Sequence, residues 1–251
     1  MIRVVNISKS FQKQQVLFNI SAEFYPGKVN QIIGKSGSGK TVLLKSIVGL
    51  HDILEGEIWI GDKEYSKASF SERRVIRQEM GLVFQGSALF TSLTVEDNVM
   101  LPLNMFSKMS RAEKLERVNF CLNRVNIDNA NKLFPAEISG GMQKRVAIAR
   151  AIVLNPKYLF CDEPNSGLDP QTSIVIDNLI KEITYEYNIT TVINTHDMNS
   201  IMEIGDQIIF IFEGKNWWQG SKNEIFTSDN QELNEFVFAS KLYQKIKTVS
   251  I

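Results

Sequence analysis

Apolar positions along the chain follow two rhythms. Short β-branched and aromatic runs occupy residues 3–7, 16–24, 29–33, 57–60, 81–84, 158–161, 190–194 and 207–212, each of strand length. Longer stretches with apolar residues three and four apart predict helices over 40–50, 110–126, 140–155, 170–188 and 197–204. Such alternation argues for an α/β fold around a largely parallel sheet. Before residue 34 the strands follow one another without helices, which predicts an N-terminal antiparallel β subdomain. From about 86 to 155 the pattern is almost wholly helical, the mark of an inserted α-helical subdomain. Ser110 and Glu113 read as a capping box opening one of these helices. Glu213-Gly214, between 207–212 and a further strand at 215–219, reads as a hairpin turn.

Composition narrows the class of protein. The 251 residues carry 28 Lys plus Arg against 28 Asp plus Glu, a formal net charge of zero, where a protein built to hold nucleic acid would carry a basic excess. No nucleic-acid partner is expected. The two cysteines, Cys121 and Cys161, cannot form a disulfide framework. The longest uninterrupted apolar run is Ile208 to Phe212, too short to cross a bilayer, and the first residues lack the apolar stretch of a secretory signal. A cytoplasmic location is the resulting expectation.

Candidate chemistry begins at Gly34-Lys35-Ser36-Gly37-Ser38-Gly39-Lys40-Thr41, which fits G-x-x-x-x-G-K-[ST] between a strand and a helix. Glycines in such a loop let backbone N–H groups turn toward phosphate oxygens, and the following helix presents its positive end to the same anion. Lys40 would neutralise the β/γ-phosphates, and Thr41 would offer its hydroxyl to Mg²⁺. A second piece is the apolar strand ending in Asp162 and Glu163, because α/β folds place ligands at the carboxyl ends of strands. Neighbouring side chains on a strand diverge, so the pair can serve two tasks. Asp162 would hold Mg²⁺ and Glu163 would orient or deprotonate the attacking water. A base-reading N-K-x-D string, which a GTPase needs, is missing, since Asn131-Lys132-Leu133-Phe134 lacks the acid. Ser139-Gly140-Gly141 at the start of an amphipathic helix is a second anion-binding device.

Taken together these strings resemble the ATP-binding subunit of ABC transporters, over roughly residues 2–221. The first loop is similar to the family's Walker A, residues 160–163 to the end of Walker B with the catalytic glutamate, and residues 138–142 to the signature motif. By the same resemblance Gln85 is the Q-loop glutamine, residues 166–169 ending in Asp169 the D-loop, His196 the switch histidine, and Phe11 the aromatic against adenine. The resemblance implies a P-loop NTPase fold with a RecA-like parallel core, occupying residues 1–228. ATP and Mg²⁺ are the implied cofactors, with Thr41, Gln85 and Asp162 at the metal. It further implies a homodimer that sandwiches two nucleotides, each gripped by one chain's Walker A and the other's Ser139, Gly140 and Gly141. His196 would stabilise the transferring phosphoryl group, and Gln85 would link water and Mg²⁺ to the helical subdomain. Integral-membrane permease subunits would dock there, on the inner face of the inner membrane.

The common signature reads L-S-G-G-Q, whereas Ile138 and Met142 stand here, with Gln143 one step later. Ser-Gly-Gly-Met and the stretch 84–103 are similar to the ATPase subunit of Mla/Mce-type lipid transporters, which implies phospholipid cargo and an Mce-domain partner. The alternative is a transporter for another substrate; a soluble ABC ATPase acting on nucleic acid or ribosomes needs two cassettes or a coiled-coil insertion. Leu89, Phe90, Leu93 and Val95 form an exposed-looking apolar surface suited to a coupling helix, or else subdomain core. His51 reads as a surface residue, Cys161 as packing, and Lys144-Arg145 as a solvated helix face. Trp217-Trp218 reads as an interface or a packed edge. Residues 229–251 form an amphipathic extension, with Leu233, Phe236, Val237, Phe238, Leu242, Tyr243 and Ile246 near helical spacing. It would dock on its own domain or reach a neighbouring subunit.

Overall fold

A computed structural model describes residues 1–12 and 14–239. Its elements run β1 (Ile2–Phe11), β2 (Gln14–Phe24), β3 (Lys28–Ile33), α1 (Lys40–Ile47), β4 (Glu55–Ile60), β5 (Lys63–Glu64), α2 (Phe70–Arg77) and β6 (Met80–Val83). Then come α3 (Val95–Phe106), α4 (Arg111–Arg124), a 3-10 turn at Pro135–Glu137, α5 (Gly140–Ile152), β7 (Tyr158–Asp162) and α6 (Pro170–Glu186). The chain ends its described part with β8 (Thr190–Thr195), α7 (Met198–Ile204), β9 (Gln207–Phe212), β10 (Lys215–Gly220), α8 (Lys222–Thr227) and α9 (Gln231–Val237). Two compact units form, one from Met1–Phe70 with the chain from Thr190 on, the other from Ser71–Ile189.

In the first unit an antiparallel sheet has the order β2-β1-β4-β5. Strands β1 and β2 pair as the helix-free N-terminal run predicts, but β3 of that run lies among parallel strands, and β4 and β5, which follow α1, complete the sheet. Alternation is broken where Val4 pairs Ala22 but Ile7 pairs Ile20, and Asn6 and Asn19 both take φ near +50°. Asparagine tolerates that left-handed conformation, and each extra residue restores the apolar side chains to one face. Ile2, Val4, Ile7, Leu17, Ile20 and Phe24 are accordingly buried. Beside this sheet in the same unit, β3 lies between β8 and β9 and runs parallel to both. Strand β10 returns antiparallel on β9 across Glu213 (φ 48°) and Gly214 (φ 73°), the hairpin expected there. Buried parallel strands carry apolar side chains on both faces, hence the near-continuous Ile and Phe of β9, whereas β3 and β8 also bury Asn30, Gln31, Thr190, Thr191, Asn194 and Thr195.

The described end of the chain packs on its own unit. Ile225, Leu233, Val237 and Phe238 cluster with Ile33, Ile201, Ile208 and Phe210. Trp217 packs against Phe212, with ring centroids 5.5 Å apart, and donates its indole N–H to Glu232 at 2.9 Å. Trp218 is partly buried and Trp217 keeps 38% of its surface exposed, while Leu233, Val237 and Phe238 serve their own unit's core. Leu242, Tyr243 and Ile246 lie outside the described residues.

In the second unit β6 and β7 pair in parallel, Met80 opposite Tyr158 and Val83 opposite Cys161. Helices surround them. The capping box opening α4 is present in both directions: Ser110 Oγ accepts from the Glu113 N–H, and Glu113 accepts from the Ser110 N–H. Three helices stop earlier than apolar spacing suggests, α4 before Asn126, α5 before Asn155 and α6 before Asn188. Each asparagine has φ between 51° and 55°, a left-handed stop that hydrophobic periodicity does not reveal. Helix α2, rich in charge and burying only Ile76, gives too weak an apolar pattern to be foreseen. Val95 is fully buried and Phe90 is 52% exposed, so the apolar stretch after Gln85 divides between core and surface.

Candidate functional site

Each unit carries a distinct set of the residues picked out by sequence. In the first, the carboxyl end of β3 turns through residues 34–39 into α1. Gly34 (φ 149°) has no room for a side chain: a Cβ there would lie 2.3 Å from the Ile211 carbonyl oxygen and 2.8 Å from Ser38 Oγ. Gly39 caps α1 at φ 105°, a conformation that a side chain would strain. Lys40 is 5% exposed, and its ammonium donates to the carbonyls of Gly34 (2.9 Å) and Lys35 (3.0 Å), which fixes it inside the loop. Lys35, Ser36 and Gly37 are exposed at the tip, whereas Ser38 Oγ is buried without a protein partner. An orphaned hydroxyl costs free energy unless a ligand meets it. A glycine-rich loop leading into a helix N-terminus, a confined ammonium and an unmet hydroxyl together fit a phosphate chain.

Thr41, on the first turn of α1, accepts a hydrogen bond at its hydroxyl from Asn194 Nδ2 at 2.8 Å. Asn194 lies fully buried near the end of β8, two residues before His196. No local motif marks it; the one signal in the chain is an amide within a β-branched parallel strand. His196 is exposed in the short link between β8 and α7. Phe11, at the end of β1, is 40% exposed. Lys9 Nζ stands 4.9 Å from its ring centre and His51 packs edge-on at 5.1 Å. His51 is thus half-buried rather than a plain surface residue. Its pKa lies below the ordinary histidine value because of desolvation and the charges of Lys45 and Lys9.

In the second unit β7 delivers Asp162, buried, as its last residue, followed by Glu163. Glu163 has φ 47°, left-handed backbone that is uncommon for residues other than glycine and asparagine. Its Oε2 accepts from Gln85 Nε2 at 2.9 Å, so the structure brings together the Q-loop glutamine and the catalytic glutamate named from sequence. Lys144 corrects the expectation of a solvated face. It is 5% exposed and donates to the Gln85 carbonyl, while Arg145 donates to the carbonyls of Val125 and Asn126. Burial lowers the Lys144 pKa, and the carboxylates of Glu163 and Asp162 oppose that shift. Helix α5 turns these side chains inward because its apolar face is broad, with Val146, Ala147, Ile148 and Ala149 all buried.

Ser139 and Asp169 are helix caps. Ser139 Oγ accepts from the Met142 N–H at 3.3 Å at the start of α5, and Asp169 accepts from the Thr172 N–H at 3.0 Å at the start of α6. Hydrogen bonds from the Thr172 hydroxyl and backbone lower the Asp169 pKa. Gly140, exposed, and Gly141, half-buried, occupy the first turn of α5, where backbone N–H groups have no acceptor within the helix. As for Mg²⁺, Thr41 and Asp162 are hard oxygen donors of the right kind. Among the described residues no group of three or more His, Cys, Asp or Glu side chains is placed to hold a metal ion.

A glycine-rich loop between a parallel strand and a helix in one unit, and in the other a parallel strand running into Asp162 and Glu163, are features of the P-loop nucleotide hydrolases. The family model described as "ABC transporter" matches residues 17–166, and the chain belongs to that family. It is similar to the methionine import ATP-binding protein MetN of Campylobacter jejuni, 37% identical over 94% of this chain and 75% of the relative. MetN of Clostridium tetani is 39% identical over 96% of this chain and 76% of that protein. Among solved structures, the ATP-binding cassette MJ0796, dimeric in a post-hydrolysis state with ADP and Pi, superposes with TM-score 0.81. That likeness covers 88% of this chain and 99% of the other at 33% identity. The fold is the ABC ATPase cassette; the protein is an ATPase, and it uses ATP with Mg²⁺. Among the described residues no helix is long and apolar enough to cross a membrane.

Proposed function

We propose that this chain is the ATP-hydrolysing subunit of an importer for a small solute, with methionine the first to be tested, working as two copies beneath a membrane permease. The observation that carries the solute class is its 37–39% identity, over nearly its whole length, to ATPases named for methionine import. In this reading Lys40 and the loop N–H groups of residues 34–39 hold the phosphates, Thr41 and Asp162 hold Mg²⁺, and Phe11 meets the base. Glu163, held by Gln85, takes the proton of the attacking water. His196 stabilises charge on the phosphoryl group. Ser139, Gly140, Gly141 and Asp169 meet the nucleotide held by the other copy, so hydrolysis removes a bridge between the two. Residues 1–228 form the nucleotide-binding domain and 229–251 its extension, and the chain works at the cytoplasmic face of its membrane.

A second reading, phospholipid transport with an Mce-domain partner, is favoured by Ser139-Gly140-Gly141-Met142 and the stretch 84–103 alone. The comparisons favour the small-solute importer over it. The two separate on the intact complex, purified with its membrane subunits and reconstituted. Methionine-dependent stimulation of ATP turnover, with uptake of labelled methionine, is the expected result. Co-purified phospholipid whose transfer consumes ATP, with no response to methionine, overturns it in favour of the second reading.

A further inference from the structure

We propose that Asn194 is a positioning residue for the nucleotide-bound cation, acting by fixing the hydroxyl of Thr41; this rests on the reading of Thr41 as a Mg²⁺ ligand. Strand β8 is buried along its whole length, and Asn194 is fully inaccessible. An amide there is a costly choice. Asparagine is a poor strand former, and an amide in the interior loses free energy unless hydrogen-bonded, whereas the neighbouring Val192 and Ile193 meet the demands of the strand without that penalty. The amide instead spans from β8 to the first turn of α1 and donates to Thr41 Oγ1 at 2.8 Å.

That bond does something a threonine in a helix cannot do for itself. A threonine hydroxyl can take more than one χ1 rotamer, and Thr41 stands on the first turn of α1, with no helical turn before it. An amide hydrogen arriving from β8 selects one of them. A hydroxyl has two acceptor directions and one proton, so engaging one acceptor direction sets the other two in space. The support is rigid: Asn194 sits opposite Ile32 in the β3–β8 ladder, two residues before Gly34, so the donor and the loop are held by the same pair of strands. Preorganisation of this kind raises affinity by removing an ordering cost.

The test reads cation binding rather than turnover. Affinity for a fluorescent ATP analogue is measured in EDTA and across a Mg²⁺ titration, with Mn²⁺ binding followed by electron paramagnetic resonance. Asn194→Ala is expected to need about five- to tenfold more Mg²⁺, about 1–1.4 kcal/mol, while affinity in EDTA stays within about twofold. Thr41→Val should raise the Mg²⁺ requirement at least as far, and Asn194→Ala added to it should change nothing more. Asn194→Leu, which refills the space, should behave like Asn194→Ala and carries the test should the alanine variant not fold. An unchanged Mg²⁺ requirement in the folded Asn194 variants overturns the proposal. Equal weakening with and without the cation, or an effect that adds to that of Thr41→Val, overturns it as well. If Thr41→Val itself leaves the Mg²⁺ requirement unmoved, the assignment of Thr41 fails first and the role of Asn194 falls with it.

Discussion

Replacing Glu163 by Gln separates chemistry from architecture, and the structure sets the size of both effects. Shape, volume and the left-handed backbone at φ 47° are common to the two residues, so strain cancels in the comparison. What changes is the bond from Gln85 Nε2, 2.9 Å from Glu163 Oε2. The bond is exposed, so water competes for it and it contributes about 1.5 kcal/mol at most with a carboxylate acceptor, and about 0.5 kcal/mol with a neutral amide oxygen. Rotation of the new amide, so that its oxygen faces Gln85, keeps the contact. The expected loss of stability is therefore at most about 1 kcal/mol, a fall of about 2–4 °C in melting temperature for a chain of this size. Loss of a general base costs about 10²–10⁴-fold in rate, equivalent to about 2.7–5.4 kcal/mol of barrier. Phosphate release and thermal melting on one preparation make the comparison, with size-exclusion chromatography in ATP to detect the paired form. The expected pattern is turnover lost by at least a hundredfold, melting nearly unchanged, and a dimer that persists with ATP. Turnover above a tenth of the parent's would refute the assignment of Glu163 to the attacking water.

Two shorter predictions follow from buried groups. Lys144→Met keeps the length of the side chain but leaves the Gln85 carbonyl without its charged donor. Denaturant unfolding should show a loss of about 1–3 kcal/mol and phosphate release a slower turnover, with Lys144→Arg recovering part of both; parental stability in Lys144→Met would place the ammonium in solvent. Burial pushes the Cys121 thiol up to about 11 and raises that of Cys161 as well, and both are fully inaccessible. A thiol reagent at pH 8 should leave the native protein unmodified and titrate two groups after denaturation, and rapid native labelling of either would contradict their place in the core.

Much of the machinery is legible in residue order, since its chemistry demands particular residue types at short spacing. Loop 34–41, the Asp162-Glu163 strand end, Ser139-Gly140-Gly141 and the capping box at Ser110 are all local devices. Each depends on neighbours within a few positions, which is the range a linear pattern reports. Most strand and helix identities likewise follow from apolar spacing. The two-residue β5 and the helices α2 and α8, whose buried faces are too small to leave a rhythm, do not, and α3 is foreseen only as part of the helical stretch 86–155.

Other features depended on pairs of residues far apart in the chain. Lys144 looks solvated because its neighbours are polar, yet the way α5 packs turns it onto the Gln85 carbonyl 59 positions earlier. The hold of Gln85 on Glu163 and the reach of Asn194 to Thr41 span 78 and 153 positions. A buried polar side chain is tolerable only if some distant group satisfies it, and the partner is supplied by strand order and helix packing rather than by adjacent sequence. The chain's own order thus determined which atoms are available for phosphate chemistry. Tertiary structure alone decided which of those atoms are held still, because fixing a side chain needs contacts from elements that meet only after the chain has folded.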